Sequence, residues 1–152
     1  MTAPAVELDA SWHQPGWTNP ETPAFRATVA AIAAEERWVI DGNYSAVRDI
    51  VWARADTVVW LDLPRSHVMA RVTGRTVQRV VTGRRLWNGN EERIANLVNP
   101  VPEENIVLWA WTTYDHNLAK YEALMSDAAW PHLRWHRLRS ADAVRKVLEG
   151  VS

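Results

Sequence analysis

Apolar and polar positions along this chain alternate between two periods, and the alternation is the first clue to its architecture. Val6 to Leu8, closed by Asp9, reads as a short strand. Gln14 to Pro23 is loop, with Thr22 as helix N-cap and Pro23 at the first helical position. Phe25, Val29, Ile32 and Ala33 recur at i, i+4, i+7 and i+8, the stripe of an amphipathic helix running to about Glu36. Trp38 to Asp41 is a continuous apolar run stopped by Asp-Gly, as in a buried parallel strand. A short helix is predicted over about 45–53. Thr57 to Leu63 is a second buried-strand run, ended by Pro64. A long helix over about 66–82 stops at Gly83, and a polar loop, Asn88-Gly-Asn90, follows.

The C-terminal third continues the alternation. Pro102 with Glu103 and Glu104 reads as a helix start, acids at the positive end of its dipole. Trp111, Tyr114, Leu118, Tyr121 and Met125 form its apolar face. His132 to Leu138 is a last strand, and Ser140 with Asp142 opens a final helix carrying Val144, Val147 and Leu148. Strands alternating with helices build βαβ units, so the fold class is α/β with a parallel sheet.

Composition narrows the reading. The 152 residues, 47% hydrophobic, suffice for one domain with a real core, taken as residues 1–152. A net charge of −1 argues against a surface given over to nucleic acid or an anionic membrane, so any anion site is local. There is no cysteine, which excludes disulfide and thiolate chemistry and is compatible with the cytoplasm. No basic-then-apolar leader and no run of about 18 apolar residues is present, so no membrane partner is expected. Of the ten tryptophans, Trp12, Trp17, Trp87 and Trp130 sit in polar company, where an indole covers a loop or cleft.

Three predicted strands end in aspartate: Asp9, Asp41 and Asp62. In open parallel sheets ligands bind beyond the carboxyl ends of the strands, which makes these side chains candidates. Each also has a plain structural use, since Asp41-Gly42 is ordinary turn chemistry and Asp62 before Leu-Pro can accept backbone N–H groups. A sharper signal lies between Leu63 and Asn90. This segment holds Arg65, Arg71, Arg75, Arg79, Arg84 and Arg85 and no acid. Arg71, Arg75 and Arg79 fall at i, i+4 and i+8 in one row, where each like-charged neighbour costs about 0.2–0.5 kcal/mol. Solvated arginine faces normally alternate with acids. The row is explained either by acids from elsewhere, such as Glu91, Glu92, Glu103 and Glu104, or by a polyanionic ligand taking bidentate guanidinium bonds.

Other groups are weaker candidates. His132 and His136 on one strand stand about 13 Å apart, too far for a shared metal ion. Asp115-His116 has no nucleophile pattern beside it.

Taken in order, Asp9, Pro15-Gly-Trp17, the run from Trp38 through Asp41-Gly42-Asn43-Tyr44 to Ser45, the run from Ala53 to Pro64 and the arginine-rich helix resemble the adenylate-kinase-like P-loop proteins often labelled topology modulation proteins. The resemblance implies a three-layer α/β/α nucleotide-kinase fold using ATP and magnesium, with a nucleotide or other small phosphate acceptor as substrate. By that likeness Asp41 is the acid near magnesium and substrate, and Asp9 faces the acceptor, with Gly42, Asn43 and Tyr44 lining its side. Arg71, Arg75, Arg79, Arg84 and Arg85 belong to a lid-like segment of about residues 65–93 and close on the phosphates.

The chain departs from that family at its start. The family opens with a strand and G-x-x-x-x-G-K-[ST], whereas here the only lysines are Lys120 and Lys146, and no two glycines lie closer than six positions. Without that loop nothing cradles β- and γ-phosphates, and catalysis by these residues alone is not expected. The absent strand would be central, between those ending at Asp41 and Asp62. Its loss bares about five apolar side chains at roughly 1.5–3 kcal/mol each. That is of order 10 kcal/mol against a domain stability of about 5–15 kcal/mol. The expectation is a mis-started or decayed ATP-dependent kinase-like protein. The alternative is a non-catalytic module that holds nucleotide or, less favoured, nucleic-acid phosphates on the Arg71–Arg85 helix.

Overall fold

The computed structural model describes residues 3–90, 99–102 and 105–150. They divide into two compact units. The first comprises the residues up to Asp56 together with Arg85–Asn90, and the second comprises Thr57–Arg84 and the described residues after Asn90.

In the first unit, β1 (Ala5–Glu7) leads into α1 (Leu8–Trp12), then α2 (Thr22–Ala34), β2 (Val39–Asp41) and α3 (Arg48–Arg54). β1 and β2 run parallel, with Val6 opposite Ile40 and Glu7 opposite Asp41. Parallel strands need a crossover rather than a tight turn, and α2 supplies it. Its predicted stripe holds, since Phe25, Val29 and Ala33 are buried. Phe25 and Val29 meet Leu8 and Val47 in a core that Trp12, Ile40, Tyr44, Ile50 and Val51 surround.

In the second unit, β3 (Thr57–Leu61) pairs in parallel with β4 (Arg134–Leu138) over five residues, Thr57 opposite Arg134 and Leu61 opposite Leu138. Between them in sequence lie α4 (Arg65–Thr82) and α5 (Ile106–Met125), and α6 (Ala141–Gly150) follows β4. Gly83 ends α4 in the left-handed region at φ 60°, where its lack of Cβ costs nothing. Ser140 caps α6 by accepting the Ala143 N–H at 3.1 Å, as its position predicts. Val144 and Val147 are half-buried, and the side chain of Leu148 lies outside the described residues.

The α/β class and the parallel pairing agree with the sequence, and several details do not. Asp9 is not the end of a strand. The strand stops at Glu7, and Asp9 sits in the first turn of α1, because Leu8 turns into the core at 1% exposure. Glu21, not Thr22, precedes α2, and Pro23 takes its second position. Trp38 and His132 lie outside their strands. The helix expected from Pro102 begins at Ile106, where the Asn105 side chain accepts the N–H groups of Val107 and Leu108, both at 3.1 Å. Glu103 and Glu104 lie outside the described residues.

The strands are also less buried than continuous apolar runs suggest. Val39, Val59 and Leu61 are 57%, 49% and 56% exposed. A run reads as fully buried only if both faces of its sheet are covered, and among the described residues each sheet has two strands.

Phe25→Ala should cost about 3–5 kcal/mol, since the ring is 1% exposed and its neighbours are pinned by three elements. Urea unfolding followed by amide signals of α2 and α3 would measure it.

Candidate functional site at the carboxyl ends of β1 and β2

Asp41 is the last residue of β2 and is exposed, so its carboxylate stands where parallel strands present ligand groups. Gly42 follows at φ 117°, and a Cβ there would lie 3.0 Å from Leu8 Cβ. Only glycine combines that backbone with that approach. The chain then turns through Asn43 and Tyr44 before α3.

Tyr44 is held by its ring and its hydroxyl together. The ring contacts Trp12 and Phe25 at centroid distances of 5.3 and 5.4 Å. Its O–H donates to Asp9 Oδ1 at 2.5 Å. Burial, and then the bond to Asp9, push the Tyr44 phenol well above its ordinary value of 10. At neutral pH it is a fixed donor. The structure therefore joins two residues that the sequence nominated separately.

Arg48 was not nominated. It donates from Nε to Asn43 Oδ1 at 3.1 Å and lies over the Trp52 ring at 5.3 Å. Its Nη2 is buried with no hydrogen-bond partner. Only a position five residues after Asn43 could have pointed to it. Arg26 makes a bidentate pair with Asp49 at 2.9 and 2.8 Å and also donates to the Ala46 carbonyl, which braces the segment after Tyr44. The Arg26 hydrogen bonds lower the pKa of Asp49.

The remaining candidates belong to the second unit, except Arg85, which belongs to the first. Asp62 has a structural use there. It is 11% exposed and accepts from Arg137 Nε at 2.7 Å and Arg139 Nε at 3.2 Å. Arg137 also donates to Glu122 at 2.7 Å and lies 4.3 Å over the Trp60 ring. Arg65 pairs with Asp115 and sits over Trp111 and Tyr114 at 4.9 and 4.7 Å, so Asp115 serves as an ion-pair partner.

On α4, Arg71 and Arg75 are exposed, Arg79 is half-buried and engaged, and Arg84 beyond its end is exposed. No carboxylate among the described residues pairs with Arg71, Arg75 or Arg84. Glu91 and Glu92, the acids expected to offset them, lie outside the described residues.

The residues present do not by themselves fit ATP with magnesium. Among the described residues no three of His, Cys, Asp or Glu gather so as to hold a metal ion, and Asp41 offers a single carboxylate. No glycine-rich loop with a lysine occurs in the 152 residues. Compared with known proteins, the chain matches no family model, no curated protein and no solved structure. No helix among the described residues is long and apolar enough to cross a membrane.

Two outcomes follow. A raised phenol contributes stability in full below its unfolded value near 10, and that contribution is lost as pH rises through the higher folded value. One of the three tyrosines should therefore ionise late in a phenolate absorbance titration, and Tyr44→Phe should remove that step. Asp62→Ala should lower the thermal unfolding midpoint, because Arg137, with a side chain only 19% exposed, loses one of its two carboxylate partners and keeps Glu122 alone. Thermal unfolding of the variant beside Glu122→Ala would show whether Asp62 dominates.

Proposed function

We propose that the chain carries the acceptor side of a phosphoryl-transfer site of the P-loop nucleotide-kinase type. The observation that carries this reading is the grouping of Asp41, Gly42, Asn43 and the Tyr44–Asp9 pair just beyond the carboxyl ends of two parallel strands. A carboxylate oriented by a phenol donor, with a second carboxylate on the strand end, suits the hydroxyl groups of an acceptor that must be oriented before transfer. The parallel pairing within each unit, β1 with β2 and β3 with β4, supports the fold likeness, because the sheet of that fold is parallel. The three-layer kinase fold belongs to this proposal. Donor phosphates lie beyond what these residues can hold, so the role assigned to the chain is acceptor binding and orientation.

A second reading has its own observation. Arg71, Arg75 and Arg84 are exposed cations without a carboxylate partner among the described residues, on a segment free of acids from Leu63 to Asn90. In this reading the chain is a non-catalytic holder of phosphate groups on a nucleotide or nucleic acid.

Calorimetric titration of the full chain with nucleoside mono-, di- and triphosphates and with single-stranded nucleic acid separates the two. The acceptor reading expects a nucleoside monophosphate to bind and Asp9→Asn or Tyr44→Phe to weaken it about tenfold. The holder reading expects binding that survives those changes, falls steeply between 50 and 200 mM salt, and is lost in Arg71→Glu with Arg75→Glu. Absence of binding by every phosphate compound, with and without magnesium, refutes both.

A further inference from the structure

Three half-buried arginines of this chain are each matched by carboxylates: Arg26 by Asp49, Arg65 by Asp115, and Arg137 by Asp62 and Glu122. Arg48 is half-buried as well, and no carboxylate among the described residues pairs with it.

The contacts that Arg48 does make leave its charge unanswered. Its Nε–H donates to Asn43 Oδ1, a neutral acceptor, at 3.1 Å. Its Cζ lies 5.3 Å from the centroid of the Trp52 ring, which offers a face but no lone pair. Nη2 is closed off from water and has no hydrogen-bond partner. A cation withdrawn from water is tolerated at low cost only when it is paired.

The acids closest in sequence are directed elsewhere. Asp49, the next residue, takes Nη1 and Nη2 of Arg26 at 2.9 and 2.8 Å, so turning it toward Arg48 would strand Arg26 instead. The same Arg26 donates to the Ala46 carbonyl, which holds the backbone on the other side of Arg48. Asp9 accepts the Tyr44 O–H. The groups around the turn of residues 42–47 are matched among themselves, and the Arg48 cation is left over.

We propose that Arg48 binds an oxyanion, the phosphate or carboxylate group of a small ligand, at this turn. Nη1 and Nη2 give two parallel N–H bonds to such a group. The residue is half-buried and its side chain rotates about several bonds, so a change in its outer torsions carries both Nη groups toward water. An anion favours that rotamer, because there the cation is paired. In taking it up, Arg48 leaves Asn43 Oδ1 and the Trp52 face, so Trp52 reports the event. The turn is the one that the acceptor reading uses, but the inference is argued from Arg48 alone and needs neither phosphoryl transfer nor the arginines of α4.

Inorganic phosphate, acetate and chloride, each titrated into the full chain at constant ionic strength in a buffer free of other oxyanions, provide the test. The Trp52 indole N–H, assigned with Trp52→Phe, is followed by NMR, and thermal unfolding is measured alongside. Phosphate or acetate should shift the Trp52 signal along a saturating curve and raise the melting temperature. Chloride, which offers no pair of oxygens, should do neither, and the tighter of the two oxyanions names the ligand class. Arg48→Met, which keeps the stem and drops the charge, should weaken that binding about tenfold or more, as expected for lost charge-assisted hydrogen bonds. Without anion it should melt no lower than the parent, because removing an unpaired buried charge offsets the lost bond to Asn43. Arg48→Lys should bind between the two, since a point charge remains without the fork. The proposal is overturned if neither oxyanion moves the Trp52 signal, if chloride moves it equally, or if Arg48→Met binds as the parent does. It is also overturned if Arg48→Met melts well below the parent, the mark of a residue that serves to hold Asn43 and Trp52. Neither probe carries a nucleoside, so failure of the acceptor reading leaves these outcomes unchanged.

Discussion

Everything placed in the first unit depends on the contact of Leu8, Phe25, Val29 and Val47. These four come from the start of α1, from α2 and from the turn before α3, and they are at most 1% exposed. Leu8 fixes the position of Asp9, the next residue. Val47 fixes the end of the turn that begins at Gly42, and Phe25 supports the Tyr44 ring from below its edge. The polar pair Tyr44–Asp9 is thus a product of apolar packing. Burial brings the phenol and the carboxylate within reach, and their bond then resists titration of the phenol.

The second unit shows the opposite use of charge. Asp62, Arg137, Arg139 and Glu122 satisfy one another beside Trp60 and hold the ends of β3 and β4 to α5. A carboxylate answered by two guanidinium groups has little acceptor capacity left for a ligand. Asp41 and Asp62 close strands in the same way in sequence, yet only one is consumed by the fold. That difference separates a candidate site residue from a structural one.

The element types were legible because they depend on local period. The stripe in α2, the apolar run of β3, the Gly83 stop and the Ser140 cap are each set within a few residues. Ends were less legible. At α2, Thr22 and Glu21 compete for the boundary with Pro23 adjacent, and at β1 the demand to bury Leu8 cut the strand short of Asp9. The pairing of charges was not legible at all. Arg137 and Asp62 are 75 residues apart, and Tyr44 and Asp9 are 35 apart, so no pattern of spacing announces either bond. Arg48 carries no sequence signal for the same reason, since its environment is made by Asn43 and Trp52 in three dimensions.

The two short sheets have a practical consequence. Among the described residues each pair of parallel strands ends in edges whose backbone N–H and C=O groups can accept another strand, and Val39, Val59 and Leu61 add exposed apolar surface beside them. A net charge of −1 gives molecules little mutual repulsion. Covering those edges, by a further strand or by charge placed beside them, is the feature on which resistance to edge-to-edge pairing depends.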